Sequence, residues 1–337
     1  MAVRTGSRTI RLETSPSIKG YAAVVSEKEG QGPLGREFDA VSADAYFGEK
    51  TWEKAESHIQ RDAMNRALDK AGLTPSELDV VFAGDLLNQC IGSAYAMREL
   101  NVPFIGLYGA CSTMAESLAL AALFVDCGIA GCAAAATSSH FCSAERQFRF
   151  PLEYGGVRTP TSQWTVTGGG AAIVTKGETA PFVREICFGR INDLGVTDIN
   201  NMGAAMAPAA ADTIKQYFTD TLTKADNYDM IFTGDLGCVG SEMLCELLRR
   251  DGIELGKRHM DCGKLIYDKK QQVEAGGSGC GCSASVLCSY IANRIRGEEW
   301  RDVLFVATGA LMSTTSNQQG ESIPGIAHLV RLSADKG

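Results

Sequence analysis

Cys111 is the residue whose setting first suggests chemistry. Residues 102–108 (VPFIGLY) read as an apolar strand, Gly109-Ala110-Cys111-Ser112 as a tight turn of small residues, and residues 112–124 (STMAESLALAALF) as a helix with Glu116 in its first turn. A cysteine at that point stands at a helix N-terminus. Free N–H groups and the positive end of the helix dipole there favour a thiolate and can hold an oxyanion or a carboxylate. The pattern predicts a Cys111 thiol of lowered pKa, more reactive than the other eleven cysteines of the chain. A buried structural cysteine at a small-residue turn fits the same pattern. The remaining cysteines do not suggest a metal. Cys280 and Cys282 form a lone CxC with no second close pair after it, and Cys238 and Cys245 are seven apart, too far for a zinc knuckle.

The elements that position Cys111 emerge from an internal repeat. Residues 79–86 read DVVFAGDL and residues 229–236 read DMIFTGDL, five of eight positions identical at an offset of 150. Both are short apolar runs ending in Gly-Asp, the form of a buried strand entering a turn. The helices before them share the offset: Arg61-Asp62-Ala63-Met64 aligns with Ala211-Asp212-Thr213-Ile214. At a larger offset Ala110-Cys111-Ser112 aligns with Gly281-Cys282-Ser283, each opening a small-residue helix. The strand candidates 133–139 and 304–313 follow, and 170–174 pairs with 325–330 to close each half. Alternating strands and helices predict an α/β fold with a mostly parallel sheet, and two copies of one topology predict a pseudo-two-fold chain with its cleft where the halves meet. The boundaries expected are 1–178 for the half with the cysteine elbow and 179–337 for the other. An aperiodic excursion near 27–57 lies over the surface or the cleft.

Composition narrows the classes of function. The 337 residues are 45% hydrophobic and 21% charged, with net charge −8 and pI about 5.2. That suits a folded chain and argues against a nucleic-acid surface, since no run of Lys/Arg appears. The first 20 residues contain no apolar h-region, so no secretory signal is expected, and the cysteines should be free thiols. Residues 118–137 are nearly all apolar, but Asp126 sits mid-span with Gly128 and Gly131 beside it. A helix ending near Cys127-Gly128 and a strand beginning near Gly131 are expected in place of a membrane span.

A two-fold repeated βαβα chain of this length, with a cysteine at the first-half elbow, resembles the thiolase superfamily of condensing enzymes. The resemblance implies a five-layer α-β-α-β-α sandwich in which Cys111 attacks an acyl thioester. It also implies that a His and an Asn, or a second His, reach Cys111 from second-half loops. The matching loops depart from that pattern. Residues 233–237 read TGDLG, with Asp235 or a neighbour in place of the His, and residues 276–283 read GGSGCGCS, with Cys280 and Cys282 but neither Asn nor His. His259 and His328, the only second-half histidines, lie in neither loop. A chain without these groups is expected to bind rather than condense.

Residues 138–156 (SSHFCSAERQFRFPLEYGG) and 160–168 (PTSQWTVTG), with FIGLYGACSTMAESL and the two GDL segments, resemble the stage V sporulation protein AD family over nearly the whole chain. That resemblance implies a non-catalytic binder of dipicolinic acid (pyridine-2,6-dicarboxylate), including its calcium chelate, with no cofactor and no metal of its own. It implies a role in uptake into the forespore and release at germination. Other stage V sporulation A membrane proteins are the implied partners, the chain being a homodimer held peripherally at the inner spore membrane. For such a ligand the candidate site is Cys111, Ser112, His140, Arg146, Arg149, Trp164, Asp235 and Cys280: cations for carboxylates, a ring for a ring, and a helix terminus. The arginines equally suit bracing of a long loop, His140 a satisfied loop histidine and Trp164 the core. Two other functions stay open: a thioester-dependent acyl-transfer or ketosynthase-like enzyme using Cys111, and a scaffold for membrane partners with no pocket.

Overall fold

The computed structural model describes residues 2–148 and 158–337. The first half contains β1 (Ser17–Ser26), α1 (Trp52–Ala71), β2 (Val80–Gly84), α2 (Ile91–Leu100), β3 (Phe104–Gly106), α3 (Thr113–Asp126), β4 (Cys132–Ser139), α4 (Phe141–Phe148) and β5 (Gly168–Thr175). The second half contains β6 (Phe182–Cys187), α5 (Met202–Thr221), β7 (Met230–Thr233), α6 (Gly237–Arg250), β8 (His259–Asp261), α7 (Cys280–Val286), β9 (Asp302–Ala310) and β10 (Gly325–Ser333). The strand order is β3-β2-β4-β5-β1 in one half and β8-β7-β9-β10-β6 in the other, so the two orders correspond strand for strand. The halves join edge to edge where Ser17 of β1 pairs with Phe182 of β6, and first-half residues 9–11 add an antiparallel pairing with residues 185–187 of β6.

The sheet is mixed, not mostly parallel. β2 pairs parallel with β3 and β4, and β7 with β8 and β9. The closing strands β5 and β10 run antiparallel to their neighbours. Parallel pairing needs a crossover that carries the chain back to its starting end. Between β9 and β10 the chain makes only a short helix at one end (Thr314–Gln318), so β10 returns antiparallel.

Helices α1 and α5, each 20 residues long, cover the outer faces of the two sheets, while α3 and α7 lie between the sheets. The layers are therefore α-β-α-β-α. Thr51 caps α1 by accepting from the Lys54 N–H at 3.3 Å, and Gly72 ends it with φ 65°. β4 (CAAAATSS) is buried at every position, with α1 on one face and α3 and α7 near the other. Alanine favours helix intrinsically, but here burial on both faces decides, and small side chains let helices approach the strand closely. α3 ends at Asp126, a buried carboxylate that accepts from the N–H and hydroxyl of Thr14, and β4 starts at Cys132. The apolar stretch thus divides into helix and strand, and no helix among the described residues is long and apolar enough to cross a membrane.

The excursion reaches the other half. Lys28 donates to the Gln271 carbonyl at 2.9 Å, Gln271 donates back to the Lys28 carbonyl at 2.6 Å, and the Tyr267 hydroxyl donates to buried Glu29. The helix that follows begins at Trp52, inside the span expected to be irregular.

Candidate functional site

Cys111 stands in a single tight turn (Ala110–Ser112) that leads into α3. Ala110 adopts φ 49°, a left-handed conformation unusual for a residue with a Cβ, and this turns the chain sharply from strand to helix. The turn satisfies itself. The Ser112 hydroxyl donates to the Gly109 carbonyl at 2.6 Å, the Thr113 hydroxyl donates to the Ala110 carbonyl at 2.7 Å, and the Gly109 N–H donates to the Thr113 hydroxyl at 3.1 Å. Ser112 is therefore spent on the turn and its hydroxyl does not reach outward.

Cys111 is 6% exposed, and its thiol lies beside the Asp235 carboxyl. Asp235 lies in the loop after β7 and is itself held from two sides: the Gly279 N–H donates to one oxygen at 2.8 Å and the Thr308 hydroxyl to the other at 2.9 Å. Its main-chain carbonyl accepts from Gln163 at 2.6 Å. Burial pushes the Asp235 carboxyl up to about 7, with its hydrogen bonds opposing and Asp261 adding to the rise. Gly279 (φ 103°) opens α7, and the next residue, Cys280, donates its thiol to the Ser138 carbonyl at 3.0 Å.

The expectation of a lowered Cys111 pKa is overturned. Burial pushes the thiol well above its ordinary value, and Asp235 and Cys280 push it further. A helix terminus contributes roughly 0.3–1 kcal/mol at an exposed site. Burying a thiolate beside a carboxylate acts over several pKa units, so the terminus loses. Cys280 is raised by burial in the same way.

In front of Cys111 lies a narrow cavity of about 410 Å³, its open mouth included. Leu86, Ala110, Ala144, Phe148, Met202, Ala310 and Met312 make its walls apolar, while Tyr108, Cys111, Glu145, Thr165 and Ser278 bring the polar side chains. Glu145 accepts from the Thr165 hydroxyl at 3.0 Å and pairs with Arg158 at 3.2 Å.

The remaining expected site residues stand apart from this cavity. His140 is buried with both ring nitrogens engaged. Nδ1 accepts from the Cys142 N–H at 3.2 Å, so Nε2 donates to the Ala45 carbonyl at 2.8 Å, and burial lowers its pKa. Arg146 turns outward to pair with Glu53 and lies 5.1 Å over the Trp52 ring. Trp164 stacks on Phe141 at 4.0 Å and carries Lys28 at 4.2 Å and Arg158 at 4.8 Å over its ring. Arg149 lies outside the described residues. The structure thus gathers Cys111, Asp235 and Cys280, with Ser112 beneath them, and leaves His140, Arg146 and Trp164 in supporting positions.

Several contributors escaped the sequence reading. Thr308, which holds Asp235, comes from β9, and Gly279 comes from the start of α7. Asp261 braces the same loop, accepting from the Leu236 and Gly237 N–H groups, each at 2.9 Å, and from the Thr233 hydroxyl at 2.6 Å. The repeat was the one signal available: Asp85 is the Asp235 counterpart and is equally buried, accepting from the Leu87 and Ser93 N–H groups and the Ser93 hydroxyl at 2.6–2.8 Å.

Solved structures share this architecture. 3-Oxoacyl-[acyl-carrier-protein] synthase III from Aquifex aeolicus VF5 superposes with TM-score 0.57 and 13% identity over 94% of this chain and 99% of its own. Cerulenin-bound OleA from Xanthomonas campestris gives TM-score 0.60 and 13% identity over 99% of this chain and 98% of its own. Both are thiolase-like condensing enzymes, and at these identities they establish the fold alone. At the sequence level, residues 6–333 match the model of the family described as stage V sporulation protein AD (SpoVAD). Stage V sporulation protein AD of Bacillus subtilis (strain 168) is 47% identical over 324 residues, covering 96% of each chain. With a thiolase-like architecture and a match along nearly its whole length, the chain belongs to the stage V sporulation protein AD family.

Proposed function

We propose that this sporulation protein is a non-catalytic binder of dipicolinic acid, taken up into the forespore and released at germination. The observation that carries the non-catalytic part is the pair of groups facing Cys111. Asp235 and Cys280, both raised by burial, stand where the thiolase resemblance implies a His and an Asn, and neither brings the imidazole or amide donor that would hold an enolate. A carboxylate beside a developing enolate opposes its charge.

The same wall bears on the form of the ligand. Among the described residues lining the cavity there is no Lys, Arg or His, Glu145 is already paired with Arg158, and Asp235 lies behind Cys111. Such a wall disfavours the dipicolinate dianion. The one-to-one calcium chelate has zero net charge and keeps its flat ring for the apolar walls, so it is the form proposed to bind. Partners are the stage V sporulation A membrane proteins at the inner spore membrane. β3, a free sheet edge with Ile105 and Tyr108 each 42% exposed nearby, is offered as the face of a homodimer.

The Asp235 carboxyl beside Cys111 favours a second function, slow acyl transfer with Asp235 as the base. Calorimetric titration with dipicolinate, with and without calcium, separates the two. Saturable binding that strengthens with calcium is expected, together with no turnover of acyl- and malonyl-coenzyme A. Absence of heat in both titrations, or turnover abolished by Cys111→Ala, overturns the binding function.

A further inference from the structure

On the outer side of the second half, away from the Cys111 cavity, another cysteine is wired to a histidine. Cys245 is exposed on α6, and its Sγ lies 3.7 Å from Nδ1 of His259 at the start of β8. The far side of the imidazole continues inward. The Thr233 hydroxyl donates to Asp261 Oδ2 at 2.6 Å, so the Thr233 oxygen accepts from His259 Nε2–H at 2.9 Å. Nε2 therefore carries the proton, and Nδ1 presents its lone pair to the thiol. Every donor in the sequence Cys245, His259, Thr233 points toward Asp261. That carboxylate also accepts three main-chain N–H groups, from Leu236, Gly237 and Lys264.

We propose that Cys245 is a site of reversible thiol modification by low-molecular-weight disulfides, with His259 as the general base and Thr233 and Asp261 as positioning residues. In the step, the Cys245 sulfur attacks one sulfur of the disulfide R–S–S–R as its proton passes to His259 Nδ1. A Cys245–S–S–R bond forms and the R–S–S–R bond breaks. The departing thiolate takes the proton from His259 and leaves as R–SH. Cys245 is oxidised and the departing sulfur reduced, so no further reagent is needed.

The surroundings show why a base is needed. Burial raises the Cys245 thiol, with Lys264 pulling it down and Glu254 pushing it up. Burial and Lys264 hold His259 down at about 4. Neither partner is charged at rest, so the proton moves only as the sulfur–sulfur bond forms. Asp261, reached through Thr233, stabilises the imidazolium that appears at that moment.

Cys127 and Cys238 are also exposed, and among the described residues neither is hydrogen-bonded to a histidine, so they serve as internal controls. The folded full-length protein is treated with limiting glutathione disulfide near pH 7, and the mixed disulfides are located by peptide mass mapping. Cys245 is expected to react about tenfold faster than either control, since a base held at about 4 contributes less than the ~10²-fold of one matched to the working pH. His259→Gln should abolish the advantage, and Thr233→Val should reduce it while leaving the controls unchanged. The proposal is overturned if Cys245 in the parent reacts no faster than Cys127 and Cys238, a comparison that needs no variant. It is also overturned if folded His259→Gln keeps the advantage.

Discussion

Asp85 and Asp235 occupy the same station in the two halves, each within two residues of the end of a central strand, yet they have been put to different uses. Asp85 is sealed in a polar knot. Ser93 and the Leu87 N–H satisfy it, burial and then Asp85 raise the neighbouring Glu56 carboxyl, and Gln60 bonds the same Ser93 hydroxyl at 3.1 Å. Asp235 reaches across the interface between the halves to the Cys111 thiol. A strand-end aspartate is thus a generic brace of this fold. It becomes part of a site only in the half whose loop faces the other half's elbow. One duplicated motif yields a structural copy and a cleft copy, because the elbow turn with Cys111 in it belongs to one half.

The largest effect expected tests whether the halves are one cooperative body. Phe82 and Phe232 are buried counterparts, one edge-on to Phe124 at 4.8 Å and the other 5.3 Å from Trp300. Phe82→Ala and Phe232→Ala should each cost about 3–5 kcal/mol and move one shared unfolding transition. Two separated transitions in denaturant, each shifted by one variant, would break the picture of a single body.

A middle-sized effect separates the two aspartates. Asp85→Asn puts an N–H donor among three donors in a sealed site and should cost about 1–3 kcal/mol. Asp235→Asn is milder, because it also removes a carboxylate that burial has raised to about 7. The sign follows from linkage. A carboxyl whose folded pKa lies above its unfolded value near 4 loses stability as pH rises through that window, and is flat above the folded value. The Asn variant lacks this loss, so its stability relative to the parent should rise between pH 4 and about 7. Urea unfolding of both proteins across that range reads it, and a difference that stays constant with pH argues that Asp235 is not raised. The histidines run the other way: half-buried His259 and buried His328, lowered to about 4, withdraw stability as pH falls from about 6.5 toward 4 in both proteins, and so cancel in the difference.

Reactivity sharpens the same contrast. Asp235 adds to the rise in Cys111 pKa but burial is the larger cause, so Asp235→Asn should speed alkylation of Cys111 by iodoacetamide only severalfold. No acceleration would mean that the carboxyl contributes nothing to the inert thiol. The smallest effect belongs to Arg146. Its pair with Glu53 is partly exposed and faces away from the cavity, so Arg146→Ala should change stability by no more than about 1 kcal/mol and leave dipicolinate titration unaltered. A tenfold loss of affinity would return Arg146 to the site.

The sequence by itself determined the duplicated α/β plan, the strand–turn–helix at Cys111 and the two GDL loops. Those features are local or periodic: apolar runs of strand length, helical spacing and small residues at a turn. Reading the first-half helix dipole alone gave the wrong sign for Cys111, because the carboxylate that opposes it is 124 residues away in sequence. Tertiary structure decided that Asp235 is oriented by Thr308 and Gly279, and that both nitrogens of His140 are satisfied. It also decided that Arg146 leans on Glu53, not into the cleft. The antiparallel closing strands were likewise settled by connection geometry, since βα alternation specifies which elements form but not the end of the sheet to which the chain returns. Burial and partner identity are properties of chain segments distant in sequence brought together, and they set the charge state of a thiol more strongly than its own turn does.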